Sequence, residues 1–299
     1  MKDTYRKQVQ LLLDVLPEVA KEACFAMHGG TAINLFYRDM PRLSVDIDLT
    51  YVPIADRAES LVGINQALQR IQQNIYALRG SIQVQHRADV CKLQVTENEV
   101  LIKLEVNMVG RGLIADSVKM PLCEMAQEAF DAFCAIPVVA KSQLFGGKLC
   151  AALDRQHPRD LFDVKLLLDN DGFTDDIKRG LIYGLASSTR PMYEMLDPNL
   201  QDQRSAFENQ FIGMSDIPFS YADYEQTRDE LIRIIRASLT SEDKAFLLSF
   251  NRLEPDWTIY NFEEFPSVKW KLLNLETFRK KSLSEWQLQN DKLEAVFKL

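Results

Sequence analysis

The sequence has few of the residues that build disulfide frameworks and zinc sites. Its 299 residues include only five cysteines and three histidines. The cysteines are odd in number, lie far apart, and never stand in C-x-x-C spacing. These absences exclude a disulfide-stapled scaffold and a zinc finger. We therefore expect reduced thiols that are mostly buried.

Long apolar runs are also missing, and no secretory signal is visible in the first residues. No window approaches the roughly 18 apolar residues that a membrane span requires. The first ten residues, MKDTYRKQVQ, mix charged and polar side chains and contain no apolar core of a signal peptide. We predict a cytoplasmic protein that makes no use of a membrane.

An excess of basic residues is absent as well. Lys and Arg number 35 against 43 Asp and Glu, which gives a net charge of -8. A domain that is basic throughout, the simplest signature of nucleic-acid binding, is thus excluded. However, residues 161–230 alone hold six basic and fourteen acidic residues, so the rest of the chain is balanced. A local site for RNA stays compatible with this distribution.

Hydrophobic periodicity predicts strands in the first half and helices afterwards. Helical spacing indicates helices over 3–22 and 55–78, and alternation or short apolar runs indicate strands at 24–28, 44–51, within 81–109 and at 135–140. From about 141 onward only helical patterns follow. This order predicts an α+β core, a mixed sheet flanked by helices, followed by a mainly helical region. We place the core at 1–170 and the helical domain at 171–299.

Two carboxylates on one strand are the most informative feature. Residues two apart in a strand point to the same side, so Ser44, Asp46 and Asp48 share a face while Ile47 faces the core. Paired carboxylates repel unless a cation lies between them, and hard oxygen ligands suit Mg²⁺. Glu105, on a later strand, is the candidate third ligand of a two-metal site. The alternative is a solvated strand face.

A glycine turn precedes this strand. Gly29 and Gly30 interrupt a short apolar strand and open a helix that continues through Thr31. Backbone N–H groups without side chains in the way can cradle a triphosphate. The coincidence of this turn with the carboxylate pair favours a metal and nucleotide site over a solvated face.

A second cluster occupies residues 148–163. On a helix, Lys148 and Arg155 share a face, as do Arg159 and Asp163. One interpretation is an ordinary surface helix with ion pairs. The other is that Lys148 and the arginines hold nucleotide phosphates while Asp160 or Asp163 orients them.

Four motifs carry a resemblance to a known family: GGTAI (29–33), RLSVDID (42–48), IKLEV (102–106) and the spaced K…R…RD..D pattern over 148–163. Through these motifs the sequence resembles the AbiEii nucleotidyltransferase toxins of type IV toxin–antitoxin systems. That family is part of the superfamily of DNA-polymerase-β-like nucleotidyltransferases. The resemblance covers residues 20 to about 170 well and the remainder loosely. It implies a polymerase-β-like core and Mg²⁺-dependent transfer of a nucleotide from an NTP onto an RNA 3′ end, with tRNA as the expected acceptor. It also implies a cognate antitoxin as partner.

The resemblance assigns roles to individual residues. Asp46 and Asp48 match the metal-binding pair and, with Glu105, form the expected metal site. The catalytic set is Asp46, Asp48, Lys148 and Asp163. Nucleotide or substrate binding is expected of a wider group: Gly29, Gly30, Thr31, Arg42, Ser44, Arg155, Arg159 and Asp160.

Two other functions stay open at this point. The same chemistry could modify a protein or a small molecule instead of RNA. Alternatively, the chain could be an inactive nucleotide-binding protein. The intact Asp46, Asp48 and Lys148 weigh against the inactive form, because a degenerate site usually loses one such residue.

Overall fold

A computed structural model describes residues 3–298 of the chain. Two compact units divide these residues: one runs to Ala140 and takes in Phe211–Pro218, and the other comprises Lys141–Gln210 and the chain from Phe219 onward. The predicted division at residue 170 is a separate hypothesis about functional domains and stays a prediction. No helix among residues 3–298 combines the length and apolar character needed to cross a bilayer.

The first unit is built on a seven-stranded mixed sheet in the order β3-β4-β5-β2-β1-β7-β6. Its strands are β1 (Phe25–His28), β2 (Asp46–Tyr51), β3 (Gln83–Arg87), β4 (Lys92–Glu97), β5 (Val100–Asn107), β6 (Val118–Pro121) and β7 (Ala135–Val138). The pairs β2–β5 and β1–β7 are parallel, and the other neighbours are antiparallel. The α-helices of this unit are α1 (Asp3–Val19), α2 (Gly29–Ala32), α3 (Arg57–Leu78) and α4 (Glu124–Phe130), and α2 continues directly into a π-helical turn, Ile33–Tyr37.

Alternation along the strands creates the core of this unit. Ile47 and Leu49 of β2 are fully buried, and the neighbouring β5 buries Leu104 in the same layer. Helix α1 contacts β5, and α3 contacts β3 and β4. Both helices contribute buried apolar side chains at helical spacing, as the sequence predicts. The opposite face of β3, β4, β5 and β2 carries polar side chains with the exception of Leu101, which is exposed.

A two-residue turn joins β4 and β5 within the segment 81–109 that was predicted to form strands. Asn98 and Glu99 have φ angles of 46° and 69°, the left-handed pair that a two-residue hairpin turn of type I′ requires. The helix predicted over 55–78 is observed as α3, and Asp56 caps it by accepting a hydrogen bond from the Glu59 N–H at 2.9 Å.

The second unit is helical. Its helices are α5 (Lys141–Arg155), α6 (Pro158–Asn170), α7 (Asp175–Ser187), α8 (Met192–Leu196), α9 (Arg204–Ala206), α10 (Tyr221–Ser238), α11 (Ser241–Asn251), α12 (Pro266–Lys281) and α13 (Leu283–Val296). Helices α5 and α7 cross at Gly146 and Gly180, where absent side chains let the two backbones touch. Beyond Val138 no strand occurs in the described part of the chain. The predicted α+β core with a helical C-terminal region is therefore confirmed.

Candidate active site

Strand β2 holds the two predicted carboxylates in the first unit. Asp46 and Asp48 are partly exposed, whereas the intervening Ile47 is fully buried. The two aspartates therefore share one face of a strand in the middle of the sheet, as the alternation predicts. Because β2 pairs with β1 on one side and β5 on the other, its backbone is rigidly held.

The glycine turn lies directly against Asp48. Gly29 has a φ of +78°, a left-handed conformation that favours glycine. A Cβ atom at this position would stand 2.3 Å from Oδ2 of Asp48. The Asp48 carboxylate thus occupies the space that the missing side chain leaves. This contact joins the predicted nucleotide turn to the predicted metal ligand.

Buried polar side chains support the same turn. A Cβ atom on Gly30 would meet Nη2 of Arg42 at 2.9 Å and Oγ of Ser44 at 3.0 Å. The Thr31 hydroxyl is hydrogen-bonded to Ser44 Oγ at 3.0 Å and donates to the backbone carbonyl of Asp46. Thr31, Arg42 and Ser44 are all buried. We infer that these three residues fix the turn and the start of β2, instead of standing open to solvent.

Ser44 differs from its predicted place. The strand was expected to begin at Ser44, yet β2 begins at Asp46. The N–H of the preceding Leu43 donates instead to the carbonyl of Met214 at 2.8 Å, and Ser215 Oγ donates to the carbonyl of Pro41 at 2.7 Å. The segment Phe211–Pro218 therefore binds the chain before Asp46 and takes the hydrogen bonds that a strand partner would have taken.

Glu105 lies beside Asp48 in the sheet, but its carboxylate is paired with the Lys92 ammonium. Its backbone lies beside Asp48 in the β2–β5 ladder and beside Lys92 in the β4–β5 ladder. Its carboxylate forms an ion pair of 2.5 Å with the Lys92 ammonium. Within residues 3–298 no three His, Cys, Asp or Glu side chains converge into a cluster that could hold a metal. The role of Glu105 as third ligand stays a prediction, since it would have to exchange Lys92 for a metal.

The donor set of Asp46 and Asp48 nevertheless suits Mg²⁺. This ion keeps several waters and is commonly held by one or two carboxylates together with substrate phosphates. Two adjacent aspartates on one rigid strand meet that requirement without a third protein ligand. The metal assignment of this pair therefore agrees with the chemistry of the residues present.

The second group of predicted residues belongs to the helical unit. Lys148 of α5 lies between two aspartates of α6: its Nζ is 2.8 Å from Asp160 Oδ1 and 2.9 Å from Asp163 Oδ2. All three side chains are almost completely buried. Asp160 also receives the Arg155 guanidinium, with Nε at 2.6 Å and Nη2 at 3.1 Å. The structure thus brings together four predicted residues from both sides of the α5–α6 junction.

The electrostatics of this cluster depend on Asp160. Burial by itself would raise its pKa, but the Lys148 ammonium and the Arg155 guanidinium outweigh burial and hold the pKa well below its usual range. Two cations and two carboxylates leave the cluster neutral in sum. The Arg155 side chain is 64% exposed on its other side, so it can meet a phosphate while Asp160 orients it. Arg159 lies on the same helix as Asp160 and is partly exposed.

Two residues that were not predicted from the sequence support the aspartate pair of β2 and the Lys148 cluster. Asn34 is fully buried and donates from Nδ2 to the carbonyl of Gly30 at 2.9 Å. His157 accepts at Nδ1 from the Arg159 N–H at 3.1 Å and so caps α6 just ahead of Asp160. Two sequence signals could have identified these residues. Asn34 is an amide within the apolar run TAINLFY, and His157 belongs to the His-Pro pair that opens α6.

Comparison with known proteins also indicates a nucleotidyltransferase toxin. The sequence model of a family described as "Nucleotidyl transferase AbiEii toxin, Type IV TA system" matches residues 10–274. No curated protein matches the sequence. Among solved structures, the chain resembles MenT4, a nucleotidyltransferase toxin from Mycobacterium tuberculosis H37Rv, with a TM-score of 0.63 over 92% of this chain and 95% of that one.

Sequence identity with MenT4 is 16%, so this likeness shows a common fold. The family match carries the activity, because it spans most of the chain and includes every residue of both groups. The chain belongs to the AbiEii nucleotidyltransferase toxin family of type IV toxin–antitoxin systems and is a nucleotidyltransferase.

Proposed function

We propose that this nucleotidyltransferase uses Mg²⁺ to transfer a nucleotide from an NTP to the 3′ end of an RNA, with tRNA as the acceptor. The observation that carries the proposal is the pair Asp46 and Asp48 on β2, packed against the Gly29 turn. A carboxylate pair beside a backbone turn whose Gly29 and Gly30 are partly exposed can hold a metal-bound triphosphate and present its α-phosphate.

The chemistry is an in-line substitution. The oxygen of the acceptor 3′-hydroxyl bonds to the α-phosphorus and its proton passes to water, while the bond from that phosphorus to the bridging oxygen breaks and pyrophosphate leaves. When bound, Mg²⁺ would neutralise phosphate charge and make the acceptor hydroxyl more acidic. Asp46 and Asp48 would hold it, and Glu105 would join them after releasing Lys92.

The surrounding residues position these groups. Thr31 and Ser44 fix the backbone at Asp46, and Gly29 leaves room for the Asp48 carboxylate. In the helical unit, Asp160 orients the Arg155 guanidinium, whose exposed side offers a planar pair of donors to a phosphate. Lys148, placed between Asp160 and Asp163, keeps α5 and α6 in register for this task.

The biological setting follows from the family. Blocking the 3′ end of tRNA would stop translation in the cytoplasm, and a cognate antitoxin would keep the toxin silent. We expect expression of the chain alone to arrest growth and the Asp46→Asn variant to be harmless at the same protein level.

The proposal is tested with purified protein, each labelled NTP, MgCl₂ and total tRNA. Asp46→Asn and Asp48→Asn should lose transfer by at least a thousandfold, because each removes a metal ligand but keeps the side-chain shape. Asp116→Asn is the matched control, since Asp116 is exposed and outside the site. Its activity should equal that of the parent protein.

The acceptor is identified by digestion of the labelled product from a cell extract. A label that is removed by RNase but not by protease supports the RNA acceptor. Label that only protease removes would assign the chemistry to a protein and overturn the RNA proposal, while full activity of Asp46→Asn would overturn the site.

A further inference from the structure

The polar face of the sheet in the first unit carries a row of side chains that leads to Asp46. The ladders pair Gln85 with Gln94, Gln94 with Lys103, and Lys103 with Asp46. Directly paired residues point to the same face of a sheet. These four side chains, here called the cross-strand row, therefore lie side by side from edge strand β3 to central strand β2. At about 4.8 Å per strand spacing, the row is about 14 Å long.

The members of the row other than Asp46 are available for a ligand. Gln85 is exposed, and Gln94 and Lys103 are partly exposed. No side-chain hydrogen bond or ion pair with another residue of the described range 3–298 engages Gln85, Gln94 or Lys103. The apolar residues next to them in sequence, Val84, Leu93, Val95, Ile102 and Leu104, are buried and face the other way into the core, whereas Leu101 of β5 shares the polar face and is exposed. Nothing in the packing of this unit requires two glutamines and a lysine here.

A groove marks the outer end of the row. Its volume is about 420 Å³, and its lining combines amides, a hydroxyl and an aromatic ring: Tyr76, Gln83, Val84, Gln85, Gln94 and Thr96. The Tyr76 hydroxyl donates to the Val84 carbonyl at 2.7 Å, which fixes the ring at the sheet edge while half of its surface stays exposed. Exposed aromatic rings are platforms on which nucleobases stack.

The chemistry of this surface fits a nucleic-acid strand better than a protein. Protein interfaces have an apolar centre, whereas the row offers amides and a cation. Glutamine amides can hydrogen-bond base edges or sugars, and Lys103 can contact a phosphate. In the neighbouring row Arg87 and Lys92 are paired with Asp89 and Glu105. Lys103 is therefore the cation of this surface that a phosphate can meet next to the metal-binding aspartates.

We propose that the cross-strand row and the Tyr76 groove bind the unpaired 3′ end of the RNA acceptor and lead its terminal hydroxyl to Asp46 and Asp48. At about 3.4 Å per stacked nucleotide, a row of about 14 Å accommodates about four nucleotides. The inference rests on the proposed function, because it names the path of the acceptor into the same site.

The first test separates stacking from folding at Tyr76. Tyr76→Leu removes the ring, whereas Tyr76→Phe keeps the ring and loses only the hydrogen bond to Val84. We expect Tyr76→Leu to raise the KM for tRNA, and the Kd for a 5′-labelled octaribonucleotide in fluorescence anisotropy, at least fivefold. Tyr76→Phe should stay within twofold of the parent. Equal effects of the two variants would overturn the stacking role.

The second test changes charge along the row. Gln85→Glu places an anion in the path of the RNA about 14 Å from Asp46 and should raise the KM for RNA threefold to tenfold with the KM for NTP unchanged. Lys103→Gln should weaken RNA binding and lower the slope of log Kd against log salt by about one. Gln66→Glu is the matched control, because Gln66 is also exposed but lies on α3 ten residues from Tyr76, about 15 Å along the helix. It should leave both KM values unchanged.

The outcomes distinguish this proposal from the proposed function. If the parent protein labels RNA but Gln85→Glu and Tyr76→Leu keep the parental KM, only the docking surface is wrong. If the parent labels no RNA and binds none, both proposals fail. If the variants instead weaken labelling of a protease-sensitive acceptor, a protein occupies this face and the RNA strand does not.

Discussion

The contact of Gly146 with Gly180 offers a quantitative test of how the helical unit holds Lys148. A Cβ atom on Gly180 would stand 1.8 Å from the Ser142 carbonyl oxygen and 3.3 Å from the Cα of Gly146. Because these are backbone atoms, no rotamer change relieves the clash. The two helices must move apart until the first distance reaches at least 3.0 Å.

The matched control lies one residue from the crossing. Gly147 is exposed on α5, and a Cβ atom there would meet nothing within 4 Å. Alanine stabilises a helix interior by about 1 kcal/mol relative to glycine. Gly147→Ala should therefore raise the free energy of unfolding by about 1 kcal/mol. Gly180→Ala gains the same propensity but also carries an overpacking cost of about 3 kcal/mol.

The difference between the two variants isolates the packing cost, because the helix propensity terms cancel. At about 2–4 °C per kcal/mol for a domain of this size, we expect the Tm of Gly180→Ala to lie about 6–12 °C below that of Gly147→Ala. Circular dichroism or differential scanning calorimetry measures both. Equal melting temperatures would refute the close packing of α5 on α7.

Three other substitutions test charges and backbone in the two units. Asp160→Asn removes one of the two carboxylates beside the buried Lys148 ammonium and should lower the free energy of unfolding by about 3 kcal/mol in urea. Asp169→Asn, at an exposed ion pair, should change it by less than about 0.5 kcal/mol. Burial lowers the pKa of Lys271 to about 7, so above pH 7 the unfolded chain holds a proton that the folded protein has lost. The stability of the parent relative to Lys271→Met should therefore rise by about 1–2 kcal/mol between pH 7 and 9. A stability difference that stays the same over this pH range would contradict this. Gly29→Ala should abolish transfer, because its side chain would meet the Asp48 carboxylate at 2.3 Å; undiminished kcat would contradict it.

Much of the fold near the site could be predicted because its patterns are local. Alternation of polar and apolar residues identified β2 and β5, and the burial of Ile47 and Leu104 follows that alternation. At the β4–β5 turn, Asn98 tolerates the left-handed backbone that both turn residues adopt, whereas Glu99 does so only rarely. These signals need only a few neighbouring residues.

Strand β6 illustrates what a local pattern cannot show. Val118–Pro121 lies at the edge of the sheet, is mostly exposed, and ends in a proline. Its four residues are too few to show a clear alternation or an apolar run. Backbone pairing with β7 is what holds this segment as a strand. The ion pair of Glu105 with Lys92 is hidden for a related reason, since it depends on the β4–β5 register.

The carboxylate pair shows how local and distant signals combine in one site. The spacing of Asp46 and Asp48 places both on one face without further help. Their positions, however, are set by residues far along the chain: Thr31 reaches Asp46 from 15 residues upstream, and Gly29 lies against Asp48. A motif search detects the ligands because their chemistry is explicit, whereas the supports are common residues whose role is geometric. The sequence placed Gly29 and Thr31 in a nucleotide-binding turn, and their contacts with Asp48 and Asp46 are visible only in the structure. Substitutions at Thr31 should therefore change the geometry of the site while both ligands remain.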